Sequence, residues 1–218
     1  MIITNYISSD VLILYENDTI ARAEQLMIDL GVSHYPVINK GRVIGNIGLN
    51  IVRDLKKTDI LKDHLLDLEQ FYLFDNAILF DSLHVFSENE TNLIPIISFK
   101  EEFLGVVLEE TVIEELASFQ FTTEYGVYMI ISTPIKKYST SEIANIVESN
   151  NGRILGLLLV NTDEDSTQIV LKLSAENISS IGDTFERFGY QISNKYFEDS
   201  KQELLKERFD QLQKFMEV

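Results

Sequence analysis

The side chains of this sequence that could carry chemistry are thinly spread. The three histidines, His34, His64 and His84, lack the i, i+4 spacing that sets two imidazoles on one helical face for a metal. There is no cysteine, so thiolate ligands, thiol nucleophiles and disulfides are excluded. Gly41-x-x-x-Gly45-x-x-Gly48 imitates a phosphate-cradling loop, but it falls in a predicted hairpin and no Lys-Ser/Thr follows to hold phosphate and magnesium. Asp163-Glu164-Asp165-Ser166 imitates the start of a calcium loop, yet Ser174 stands where the bidentate glutamate is needed, which leaves a polar turn. Glu109-Glu110 and Glu114-Glu115 read as solvated helix faces, because general-acid work requires a buried carboxyl. No serine elbow is present. The expectation is a non-enzymatic protein without a metal site.

The whole chain narrows the partners. Its 218 residues are 45% hydrophobic, enough for one large domain or two to three small cores. With 18 basic against 35 acidic residues the net charge is −17, which repels a phosphate backbone, so DNA and RNA are discounted. Met1 to Asn5 lacks the basic start and apolar core of an export signal, and no apolar run approaches the roughly 20 residues that span a bilayer. A cytoplasmic location without membrane association is expected, and the absence of cysteine is compatible with a reducing compartment.

The elements that must position these side chains occur twice. Gly31-Val32-Ser33-His34-Tyr35-Pro36-Val37-Ile38 runs through a turn into Val43-Ile44-Gly45-Asn46-Ile47, and Asn92-Leu93-Ile94-Pro95-Ile96-Ile97 runs into Phe103-Leu104-Gly105-Val106-Val107. Pro36 and Pro95, like Gly45 and Gly105, recur about 60 positions apart, a spacing that marks one supersecondary unit used twice so that each copy buries the other's apolar face. In the first copy the patterns predict a strand over Val11 to Leu14, a helix over Ile20 to Leu30 capped by Asp18 or Thr19 and stopped by Gly31, a hairpin over Tyr35 to Ile47, and a helix over Leu49 to Leu55. In the second they predict a strand over Phe71 to Leu73, a helix over Ala77 to Phe86, a hairpin over Ile94 to Val107 and a helix over Thr111 to Phe119.

These residues resemble a family. Asp18-Thr19-Ile20 before a helix, then Tyr35-Pro36-Val37-Ile38, a turn and Val43-Ile44-Gly45, look like a cystathionine-β-synthase (CBS) domain, and Ile94-Pro95-Ile96-Ile97 with Phe103-Leu104-Gly105 looks like its tandem partner. The resemblance covers roughly residues 1 to 118 and implies a Bateman module, two copies packed sheet to sheet, with an adenosine nucleotide as the ligand class of its clefts. Nucleotide-binding members carry Ser or Thr three positions past the glycine and Asp six past it, for phosphate and ribose. Here those positions are Gly48 and Ile51, then Leu108 and Thr111. An isoleucine cannot accept from a ribose hydroxyl. Asn50 and Glu110, one position early, are the substitutes available, and Ser8, His34, Tyr35 and Ile94 complete the cleft candidates that the resemblance implies.

After Phe119 to Glu124 the pattern changes. A strand over Val127 to Ser132, a helix from Ser139 or Ser141 to Asn150, strands over Ile154 to Val160 and Gln168 to Leu173, a helix over Ile178 to Phe188 and a strand over Tyr190 to Phe197 give βαββαβ, a ferredoxin-like plait. Following two CBS-like copies, this plait resembles an ACT domain, and the order resembles the AcuB-type CBS-ACT proteins. Amino-acid-binding ACT loops carry a glycine for close backbone approach, whereas Thr133 to Ser139 has none, so pairing between subunits is the simpler role. In the tail, Glu198 to Glu217, Leu205, Phe209, Leu212 and Met216 form a heptad-like stripe too short to stand alone, which suits a second copy of the chain.

The expected architecture is therefore α/β (α+β): a first CBS domain over residues 1–60, a second over 61–121, an ACT-like plait over 122–197 and a C-terminal helix over 198–218. The expected function is a regulatory homodimer acting on an unidentified partner protein, its CBS pair sensing a small molecule. The alternative is an interaction module whose clefts are filled by its own side chains.

Overall fold

The computed structural model describes residues 1–8, 11–163 and 165–193. They fall into two units, Met1–Ala117 and a second that begins at Ser118.

The first unit contains one topology twice. The first copy is β1 (Leu14–Tyr15), α1 (Ile20–Leu30), β2 (His34–Asn39), β3 (Arg42–Gly48) and α2 (Leu49–Asp54). The second is β4 (Leu73–Phe74), α3 (Leu79–Glu88), β5 (Leu93–Ile97), β6 (Phe103–Leu108) and α4 (Glu109–Ser118). Each makes a three-stranded sheet, the short strand parallel to the central one and the hairpin antiparallel. Both hairpins slip register at the same place, between Val37 and Ile38 and between Ile96 and Ile97.

Helix α1 occupies the expected residues. Thr19 caps it, its Oγ1 accepting from Arg22 N at 3.3 Å, and Ile20, Ala23, Leu26 and Met27 turn into the core while Leu30 is exposed. The short strands sit later than expected, because pairing with Val37-Ile38 and Ile96-Ile97 fixes which two residues extend; Leu12 and Ile13 are left exposed. Helix α3 starts two residues later than expected, where Asp81 Oδ2 accepts from Ile78 N at 2.9 Å, and α4 starts two earlier, at Glu109.

The copies are laced together by the segments that precede them. Ser8 N donates to Val106 O at 2.8 Å and Val106 N to Ser8 O at 3.1 Å, so the N-terminal segment lies along the second hairpin. Asn46 and Glu69 exchange the equivalent pair at 2.8 Å each, so the chain linking the copies lies along the first. These reciprocal bridges are the mark of an internal twofold. One core cluster joins Leu14, Met27, Val37, Ile47 and Leu61 to Leu93 and Val106 of the second copy, and the central strands β2 and β5 are in contact. Each fully buried Leu or Ile stabilises such a core by about 1.5–3 kcal/mol relative to exposure.

The second unit runs α5 (Gln120–Thr123), β7 (Val127–Pro134), α6 (Thr140–Ser149), β8 (Arg153–Thr162), β9 (Ser166–Ser174), α7 (Ile178–Arg187) and β10 (Gln191–Ile192). Its sheet is antiparallel throughout in the order β10-β7-β9-β8, the ferredoxin-like arrangement. Met129, Ile131, Ile169, Leu171 and Leu173 on one sheet face pack with Ile143, Ile146 and Val147 of α6 and Ile181 and Phe185 of α7. Ser139, rather than Ser141, caps α6, its Oγ accepting from Glu142 N at 3.2 Å. Behind the sheet, the buried Lys172 donates from Nζ to Thr122 O at 3.1 Å and lies 5.1 Å from the Tyr128 ring centroid, a cation–π contact. The last strand is described only at Gln191–Ile192, and the helix expected over 198–217 lies outside the described residues.

Candidate functional site

Two clefts of the first unit are mates under the internal twofold. The larger, about 500 Å³, is lined by Ser33, His34, Leu49, Asn50, Arg53 and Glu69 together with Glu88, Asn89 and Glu90 of the second copy. The smaller, about 170 Å³, is lined by Asn92, Leu108, Glu109, Glu110 and Ile113 together with Leu30, Gly31 and Val32. Ser33 corresponds to Asn92, Leu49 to Glu109, Asn50 to Glu110 and Arg53 to Ile113, so the same elements build both clefts.

Sequence differences make the mates unequal. In the smaller cleft Leu108 and Ile113 stand on the α4 side and Leu30 faces them. In the larger, His34 is buried at the start of β2, with its Nδ1 3.0 Å from Ser33 Oγ and its Nε2 3.4 Å from Glu69 Oε1. Its ring meets Phe71 edge to face, centroids 5.6 Å apart, which fixes its orientation. Gly48, opposite His34 across the hairpin, leaves the space: a β-carbon there would sit 3.3 Å from His34 Nε2 and against Asn50 Oδ1. The floor is tied to the second copy through Asn92, whose Oδ1 accepts from Ser33 N at 2.9 Å and whose Nδ2 donates to Gly31 O at 2.9 Å.

The structure brings His34 and Asn50 together in the larger cleft and places Glu110 in the smaller one. Ser8, Tyr35 and Ile94 line neither. The Ser8 backbone bridges Val106; Tyr35 is buried with its OH donating to Leu12 O at 2.6 Å; Ile94 is fully buried in β5. Burial pushes the Tyr35 phenol up to about 12. Ile51, at the position where the family resemblance implies a ribose carboxylate, packs against the core instead. Four charged lining residues, Arg53, Glu69, Glu88 and Glu90, lie outside the 31–47 and 92–107 stretches and were not among the sequence candidates. Glu69 belongs to the linking segment and Glu90 to a left-handed turn after α3, so only the tertiary fold assembles them.

No group of three or more His, Asp and Glu side chains converges on a common point among the described residues. Asp163 instead closes its own turn: Oδ1 accepts from Asp165 N at 2.9 Å and from Ser166 N at 2.6 Å, bonds that hold its carboxyl below the usual carboxylate range. No helix among the described residues is long and apolar enough to cross a membrane.

The CBS-domain family matches residues 3–57, and the second copy repeats that topology element for element. Among solved structures, the chain is similar to a CBS domain pair/ACT domain protein from Thermotoga maritima, with 16% identity and a TM-score of 0.48 over 53% of this chain and 96% of that one. It is also similar to the CBS domains of a transcriptional regulator from Streptococcus pneumoniae, with 18% identity and a TM-score of 0.46 over 52% of this chain and 98% of that one. Likenesses this distant carry no ligand across. No curated protein matches the chain.

Proposed function

We propose that the first unit is a paired CBS module that regulates a partner protein by binding one small molecule in its larger cleft, and that the ACT-like plait joins two chains. The protein is non-enzymatic in this reading. The observation that carries it is the inequality of the mates: one cleft of about 500 Å³ floored by His34 and Asn50, against one of about 170 Å³ narrowed by Leu108 and Ile113. A ligand seated there touches both copies, so its differential affinity for two arrangements of the pair is what a partner would read. The smaller cleft favours the second reading, an interaction module with degenerate clefts, at that position only.

Calorimetric titration of the full chain against nucleosides, nucleotides, amino acids and polyamines tests this. One molecule should bind per chain, and at about 100 times its dissociation constant it should add roughly 2.7 kcal/mol of stability. Leu49→Trp should abolish binding and Glu110→Ala should leave it intact. Silence across the panel would sink the sensor and leave the interaction module.

A further inference from the structure

The turn between α6 and β8 carries reactive groups that the reading of the clefts leaves unused. Asn151-Gly152 is the single Asn-Gly pair of the chain. Such a pair has its own chemistry: with no side chain on the glycine to block approach, the glycine nitrogen can reach the asparagine amide carbon and displace ammonia. Asn151 is exposed and has a left-handed φ of 56°, the residue just past the end of α6 in a Schellman turn. Its own N donates to Glu148 O at 3.0 Å, and Gly152 N donates to Val147 O at 2.9 Å.

The second of these bonds decides the reactivity. The nitrogen that attacks must lose its proton, and in the closed turn Val147 O holds that proton. The slot around Gly152 is also full: a β-carbon there would stand 2.8 Å from Ile181 Cδ1 and 2.9 Å from Val147 Cγ1. Both side chains are fully buried in the plait core, so the turn opens only when the end of α6 lifts off that core. We propose that Asn151 is a modification site gated by the fold, inert in the closed turn and converted to aspartate or isoaspartate when the turn opens. In the open turn Gly152 N bonds to Asn151 Cγ, the Cγ–Nδ2 bond breaks, and ammonia leaves with the proton that the glycine nitrogen has lost. Water then opens the cyclic imide at one of its two carbonyls, giving aspartate, or isoaspartate with the main chain rerouted through the side chain. The reaction needs no oxidant and no second reactant besides water. Either product sets a carboxylate at the negative end of α6. Isoaspartate also adds one backbone carbon, which displaces Gly152 from a slot with no room to spare. Because β8 begins at the next residue, Arg153, in register with Ser174, that displacement runs into the sheet.

Incubation of the full chain at mildly alkaline pH, with and without unfolding urea, followed by peptide mass mapping, tests this. The peptide holding Asn151 should convert from amide to acid at least about tenfold faster in urea than in buffer. Val147→Ala, which widens the slot and keeps the main-chain acceptor, should raise the rate in buffer and leave the rate in urea unchanged. Asn151→Gly keeps a residue suited to the left-handed turn, so it should stay unmodified in both conditions with its urea midpoint preserved. Chains that have formed isoaspartate, returned to buffer, should exchange amide hydrogens faster across α6 and β8 than unmodified chains do. Equal rates with and without urea, or a Val147→Ala rate in buffer no faster than the parent's, would overturn the gating. No acid at Asn151 in urea would overturn the site itself, and native exchange in isoaspartate chains would overturn the effect on the sheet.

Discussion

At the scale of residues, two buried side chains adjacent in β2 show how a strand divides its faces between cleft and core. His34 and Tyr35 follow one another in the strand and point to opposite faces, one to the cleft and one to the core. Tyr35 is folded with its proton: the phenol ionises near 10.0 when exposed and is pushed up to about 12 in the fold. The unfolded chain therefore releases that proton first. The stability that Tyr35 contributes is complete below pH 10 and declines as pH rises toward about 12. Urea midpoints measured across that interval should fall with pH, and Tyr35→Phe should flatten the fall. The same variant should lose about 1 kcal/mol at neutral pH, because Leu12 O loses its donor. An unchanged alkaline slope in the variant would show that other groups govern it.

At the scale of elements, the repeated glycines acquire a reason that the pattern alone does not supply. Gly45 and Gly105 have φ of 144° and 145° at the register slips, and each faces a crossing segment. A β-carbon on Gly45 would stand 2.7 Å from Leu68 Cβ, and one on Gly105 would stand 2.6 Å from Ser8 O. Gly105→Ala should therefore cost about 1–3 kcal/mol from backbone strain alone, and more from displacing the N-terminal segment. Gly41 at φ 81° has nothing within 4 Å of its β-carbon position, so Gly41→Ala isolates the strain component. Denaturation should rank Gly105→Ala below Gly41→Ala, with faster hydrogen exchange at Ser8 only in the former; equal losses would remove the crossing as the cause. Helix α1, both hairpins and the plait order were legible in the sequence because local periodicity and turn residues determine them. The two-residue strands β1 and β4 were legible only approximately, since their ends depend on a partner far along the chain. Of the cleft, His34 and Asn50 were readable from their place in the motif. Glu69 and Glu90 were not, because the linking segment and the turn after α3 carry no local sign of where they fold.

At the scale of the whole molecule, net charge and one sheet edge oppose each other. Every chain carries −17, which drives copies apart. Yet β8, an edge of the plait sheet, has no acidic residue, and Leu158, Leu159 and Val160 are 49%, 54% and 58% exposed among the described residues. An exposed apolar edge whose middle carries no charge invites pairing, Arg153 at its start being held by Glu124. Antiparallel β8 strands from two chains are self-complementary, as a twofold interface requires, and joining them would continue the sheet across both plaits. Because the repulsion is long-ranged and screened while the apolar contact is not, dimerisation by this edge should strengthen with salt, the reverse of an interface held by opposite charges. Sedimentation velocity from low to high salt should show the dimer fraction rising. Leu159→Glu, which sets a carboxylate from each chain into the joined edge, should give monomers at every salt concentration while leaving ligand binding at the His34 cleft unchanged. A dimer that dissociates as salt is raised, or one that survives Leu159→Glu, would move the interface off β8 to another surface of the chain.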